Sequence, residues 1–218
     1  MKTKLFILIW LQVSVVMVQA QGFVNLNFES ATFTAGRLGG TVSATNAIPG
    51  WIPYYDGFAD TYIVSNGYSL GGPVINIYGT NNPVSYPPVQ GKYFMFLQGG
   101  SVGGAHSAAI GQTGLIPFSA QSLIFLGSIG GMQITFNNQA LSFAVIGTTG
   151  SYTIYGADIS SYAGQTGEIL FRTPAQTGGI LDNIQFSTVA VPEPGVWSLL
   201  GLSALLVGGW RWKNRGAA

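Results

Sequence analysis

Few groups in this 218-residue chain could do acid–base or ligand chemistry. Asp56 and Asp60 stand among Trp51, Tyr54, Tyr55, Phe58 and Tyr62, with Gly57 between them. Rings beside carboxylates suit a sugar platform, because the rings stack on C–H faces and the carboxylates accept from hydroxyls. On that reading Tyr54, Tyr55, Asp56 and Asp60 are the candidate carbohydrate contacts. The same two acids could serve glycoside hydrolysis, which needs two carboxylates at a set separation across one bond. A glycine-containing loop sets no such separation. Core packing and turn chemistry also account for the stretch.

Gly67-Tyr68-Ser69-Leu70-Gly71 has the spacing of a nucleophile elbow. That device needs a strand, a sharp turn and then a helix, with an acid and a histidine following. Here Gly72-Pro73 and a β-like run follow. No acid lies between Asp60 and Asp158, and the only histidine is His106, so Ser69 has no acid before that histidine. The match reads as a Gly/Ser-rich turn. His106 itself reads as a surface or hydrogen-bonded strand residue. One histidine and no cysteine cannot supply the N and S ligands of a zinc site. Gly91-Lys92 is no phosphate loop, since Tyr86 stands where its first glycine belongs and Tyr93 where Ser or Thr should follow.

The charge balance points the same way. The net charge is +1, but five of the eight basic residues (Lys2, Lys4, Arg211, Lys213, Arg215) lie at the chain ends. Between them Arg37, Lys92 and Arg172 face Glu29, Asp56, Asp60, Asp158, Glu168 and Asp182. The interior is slightly acidic and has no basic patch for phosphates, which excludes nucleic-acid binding. The lack of cysteine removes thiol catalysis, and the aromatic and β-branched content is too high for a disordered chain.

The elements that must position these groups are short strands. Residues 23–28 alternate, with Val24, Leu26 and Phe28 on one side, and predict a half-buried strand. Further strands are predicted over residues 61–65, 74–78, 92–97, 105–111, 122–126, 132–136, 141–146, 151–155, 168–172 and 180–186. A short β-branched run at 41–45 precedes the Pro49-Gly50 turn. No amphipathic helical window of useful length lies between residues 21 and 190. Short strands with Gly- and Pro-rich turns predict an all-β domain over 21–190, an antiparallel, jelly-roll-like β-sandwich.

Both ends carry addresses. Lys2 and Lys4, an apolar run over 5–18 and the small-residue site Val18-Gln19-Ala20 before Gln21 predict a secretory signal peptide over 1–20. That segment would use the Sec translocon and signal peptidase. At the other end, Val191-Pro192-Glu193-Pro194 reads as a stiff extended tether. An apolar helix over 196–210, bracketed by Trp197 and Trp210, precedes the basic cluster Arg211, Lys213 and Arg215. The order of motif, apolar helix and basic cluster over 191–218 resembles the PEP-CTERM sorting signal. The resemblance implies export in a Gram-negative bacterium and transient inner-membrane retention through a single transmembrane helix. It further implies cleavage near Pro192–Pro194 by an exosortase-type transpeptidase, with release to the cell surface or an exopolysaccharide matrix. Glu193 would then be a recognition residue of a substrate.

Within the domain, Asn25-Leu26-Asn27-Phe28-Glu29-Ser30, Ile48-Pro49-Gly50-Trp51, Ala163-Gly164-Gln165-Thr166 and Leu181-Asp182-Asn183-Ile184-Gln185-Phe186 occur in order. This order resembles the exported domains that carry PEP-CTERM tails and, more loosely, galactose-binding-type jelly rolls. In such jelly rolls acids at the first strand's end and the last strand's start can share a structural Ca²⁺, here Glu29 and Asp182. A hard cation wants six to eight oxygens, so backbone carbonyls would complete its shell. Along its strand Asp182 shares parity with Ile184 and Phe186. An acid on an inward face needs a metal or backbone donors. No other cofactor is expected. The expected function is that of an exported, non-catalytic matrix or adhesive protein, with carbohydrate binding. The alternative is a polysaccharide-active hydrolase using Asp56, Asp60, Asp158 or Glu168.

Overall fold

Fourteen strands form among the residues that the computed structural model describes, 21–33, 39–80, 82, 89–150 and 152–191. The predicted signal peptide with Ala20, and Pro192, Glu193, Pro194, Arg211, Lys213 and Arg215 of the sorting tail, lie outside those residues. One sheet holds β1 (Gly40–Ser43), β4 (Tyr62–Ser65), β5 (Val74–Tyr78), β6 (Phe94–Gln98), β14 (Gly178–Ser187), β8 (Ser122–Gly130), β12 (Tyr152–Asp158) and β11 (Phe143–Thr149), in that spatial order. The other runs β10 (Gln139–Ala140), β9 (Gln133–Phe136), β13 (Thr166–Thr173), β7 (Ala108–Leu115), β2 (Ile52–Tyr55) and β3 (Phe58–Ala59). Neighbours pair antiparallel except β4 with β5. The described residues are all-β, as their period-two pattern predicts. The helical content within the sheets' span is one turn at Ala44–Ala47 and a 3₁₀ turn at Ser160–Tyr162.

The two sheets share one apolar core. Ile63, Ile75, Leu97 and Phe125 come to it from one sheet, and Ile110, Ile134, Phe136 and Phe171 from the other. Phe125 and Phe171 meet edge-on across the layers with ring centroids 5.7 Å apart. Full burial of each such side chain stabilises by roughly 1.5–3 kcal/mol.

Two expectations are corrected. Residues 23–28 do not form a strand: Gly22 makes a single bridge to Leu115, and Asn25 and Phe28 take left-handed φ of 50° and 58°. Local polar groups win over alternation here. Asn25 Oδ1 accepts the Ser30 N–H at 2.9 Å, and the Asn25 carbonyl accepts the Trp51 indole N–H at 3.0 Å. The buried Gln112 amide stands in for a partner strand, bonding the Val24 N–H and carbonyl at 2.6 and 3.0 Å. Such side-chain bonds offer the backbone an alternative to a ladder.

The second correction concerns parity in β14. Its register shifts between Asp182 and Gln185, and Asn183 sits at φ 45°. The Ile184 N–H leaves the ladder and donates to the Leu26 carbonyl at 2.9 Å. A bulge inserts an extra residue and flips the alternation beyond it. Leu181 and Ile184 therefore both enter the shared core, while Ile180 joins a separate cluster with Tyr78, Phe94 and Tyr152. Asp182 lies on Ile180's side, opposite to Ile184 and Phe186.

Candidate functional site

The outward face of the six-stranded sheet is built from register and side-chain size. On β13, Ile169 and Phe171 enter the core, so Glu168, Leu170 and Arg172 face outward. On β7, Ile110 is buried in the core and Ala109 and Gly111 share the outer face. Directly opposed residues of antiparallel strands share a face. Tyr54, Ala109 and Arg172 form one row, and Ile52, Gly111 and Leu170 the next. The central strand thus offers the smallest side chains, and its neighbours stand as walls. A Cβ on Gly111 would lie 2.7 Å from Glu168 Oε1 and 3.0 Å from Leu170 Cδ1, so these side chains lean over a bare glycine.

The result is a trough of about 210 Å³ whose lining includes Tyr54, Glu168, Leu170, Arg172, Asn138 and Ser107. Across it the Tyr54 hydroxyl donates to Glu168 Oε1 at 2.9 Å. Burial pushes the Tyr54 phenol up to about 12, and the hydrogen bond to Glu168 and that residue's charge add to the effect. Asn137 and Asn138, with φ of 47° and 63°, make the tight turn between β9 and β10. Asn137 Oδ1 accepts the Glu168 N–H at 3.0 Å and so fixes that end of β13.

The rim is held by the β2–β3 hairpin. Asp56 and Gly57 supply its two left-handed residues, with φ of 52° and 83°, as a two-residue turn requires. Asp56 Oδ2 lies 2.7 Å from His106 Nδ1, and its Oδ1 accepts the Ser107 N–H at 2.7 Å. These contacts, His106 first, hold the Asp56 carboxyl below the usual carboxylate range. The hairpin tip is thereby tied to the chain entering β7.

Among the predicted carbohydrate contacts, Tyr54 reaches the trough and Asp56 its rim. Tyr55 turns the other way, packing on the core while its hydroxyl accepts the Ile75 N–H at 3.2 Å. Adjacent residues of a strand face opposite sides, so the two tyrosines cannot form one platform. Asp60 accepts the Thr61 and Tyr62 N–H groups and caps its own turn. Asp158 does the same for Ser160. Ser69 Oγ accepts from the Gln98 amide at 2.6 Å, and strand β5, not a helix, follows its turn. Gln21 begins the described chain with its carbonyl on the Leu115 N–H, and Val191 ends it beside Gly156. Arg172 and Asn138 were not among the expected contacts. The outward period of Glu168, Leu170 and Arg172 was the available signal for Arg172.

Glu29 and Asp182 do come together, on the loop before β6. Glu29 Oε1 accepts the Lys92 and Tyr93 N–H groups at 2.7 and 2.9 Å. Asp182 accepts the Gln90 N–H at 3.0 Å and its neighbour Asn183's N–H at 2.6 Å. Asp182 is fully buried, and burial pushes its carboxyl up to about 8 against those hydrogen bonds, with Glu29's charge adding to the rise. With both carboxyls ionised the pair would have the charge to hold a hard cation. No third acid or histidine joins it among the described residues, so carbonyl or water oxygens would complete the shell.

No family model and no curated protein sequence matches the chain.

Proposed function

We propose that this chain is an exported, non-catalytic surface or matrix protein whose jelly-roll-like sandwich binds polysaccharide in the Tyr54–Glu168–Arg172 trough. The observation that carries the reading is the trough itself. A half-buried ring, a carboxylate, a guanidinium and an amide line one trough with Ala109 at its floor. Sugar sites combine an aromatic surface with a few placed polar groups, and this set supplies both. The order of signal peptide, domain and PEP-CTERM-like tail supports delivery by the Sec translocon, signal peptidase and an exosortase-type transpeptidase. A structural Ca²⁺ at Glu29 and Asp182 belongs to the same reading as a stabiliser of the loop before β6.

The hydrolase alternative needs two carboxylates facing one cavity, and Glu168 is the carboxylate among the trough's lining residues. The testing experiment is a screen of the purified chain against matrix polysaccharides, with product size followed over time. Binding without change in size, lost in Tyr54→Ala, is expected. Shortening of the polysaccharide would move the reading to the hydrolase, and absence of binding would end the glycan reading.

A further inference from the structure

The trough has two electrically different ends. The Cα atoms of Glu168 and Arg172 lie on one face of an extended strand, roughly 13 Å apart at four residues' rise, and the Glu168 carboxylate leans back over Gly111. Among the described residues no ion pair joins their charged groups. Glu168 is already engaged by the Tyr54 hydroxyl. Arg172 is exposed at the other end, and among the described residues no carboxylate pairs with it. Leu170 separates the two, over Gly111.

We infer that the ligand of this trough is an acidic polysaccharide, one of whose uronate carboxylates is taken by the Arg172 guanidinium. The inference rests on the glycan reading above. A planar guanidinium presents a fork of donors that matches a carboxylate at two points, and such charge-assisted bonds exceed neutral ones. A wholly neutral chain lying over Arg172 would strip water from the cation and return only neutral hydrogen bonds. At the opposite end the Glu168 carboxylate accepts hydroxyls and repels a second acid. The arrangement therefore selects a chain in which an acidic sugar is followed by a neutral one.

The test uses the purified full chain in calcium-free buffer and an array pairing neutral oligosaccharides with the same molecules carrying one uronate. The acidic members are expected to bind about tenfold tighter or more, the scale of one charge-assisted contact. Reduction of the uronate to its neutral alcohol should abolish the difference. Arg172→Gln should lose the preference, Arg172→Lys should keep part of it, and Lys92→Gln should keep all of it. Equal binding of both members overturns the inference and leaves the glycan reading standing. A preference that survives Arg172→Gln, or falls equally in Lys92→Gln, also overturns it. Failure to bind any member overturns both readings.

Discussion

Tyr54 and Glu168 meet across a strand that belongs to neither of them. The Tyr54 hydroxyl donates to Glu168 Oε1 at 2.9 Å, and the carboxylate lies over the bare Cα of Gly111. Three strands thus contribute one contact: β2 the phenol, β13 the carboxylate and β7 the missing side chain that lets them touch.

This relationship sets the ionisation of Tyr54. Burial, the hydrogen bond and the Glu168 charge all favour the neutral phenol, which is why it rises to about 12. In Glu168→Gln the charge is gone and burial remains. The Tyr54 titration, followed by ultraviolet absorbance or tyrosine-resolved NMR, is expected to move down toward the ordinary phenol value of about 10 without reaching it. A titration unchanged near its original position would mean that the contact is not made in solution.

Gly111 can be tested by size alone. A valine there places its Cβ in the space that Glu168 Oε1 and Leu170 Cδ1 occupy. Those are ends of flexible side chains on an outer face, so they can swing aside. Gly111 is itself buried, so Gly111→Val is expected to lower the melting temperature as well, overpacking of this kind costing about 1–3 kcal/mol. Polysaccharide binding should fall tenfold or more. Retained binding would place the ligand elsewhere.

The Glu29–Asp182 pair predicts a pH dependence. The folded Asp182 carboxyl is raised to about 8 from an ordinary 3.8. Between those values the folded state holds a proton that the unfolded chain releases. The contribution of Asp182 to stability is therefore fullest below about pH 4, falls as pH rises toward 8 and levels off above it. Thermal melts in EDTA should show that slope, and Asp182→Asn should flatten it. Ca²⁺ needs both carboxylates ionised, so its stabilisation should grow with pH and be largest at pH 8. Identical melting temperatures at pH 8 with EDTA and with millimolar Ca²⁺ would remove calcium from the reading.

The tail makes a prediction about mass. If Pro192-Glu193-Pro194 is a sorting motif, surface-released protein should end near it and lack Ala218. Glu193→Ala should leave the uncleaved chain in the membrane fraction. Mass spectrometry of the released form decides the matter, because full-length chains at the surface contradict processing.

Much of the sheet was legible from period alone. β5 falls on the predicted residues, and β6, β9, β12, β13 and β14 overlap their predictions closely, because alternation or continuous apolarity follows from facing one core. The hairpin at residues 52–59 was less legible, although Asp56-Gly57 between apolar residues is a strong turn signal. Recognising that turn would have put Tyr54 and Tyr55 on opposite faces at once. At the N-terminus, residues 23–28 alternate as a strand should, yet Asn25 and Gln112 satisfy the backbone with side chains instead.

The amino-acid order by itself determined the all-β class of the described residues, the sparse charge and the absence of thiol chemistry. Each depends on composition or on residues close together in the chain. Only the tertiary structure decided which groups share a site. The bulge at Asn183 exists because the Ile184 N–H finds the Leu26 carbonyl, and it turns Asp182 away from the face that alternation assigns it. Tyr54, Glu168 and Arg172 gather because strands far apart in sequence pair in one register over small residues of β7. That pairing is set by the shared core beneath the sheet, and no local spacing encodes it.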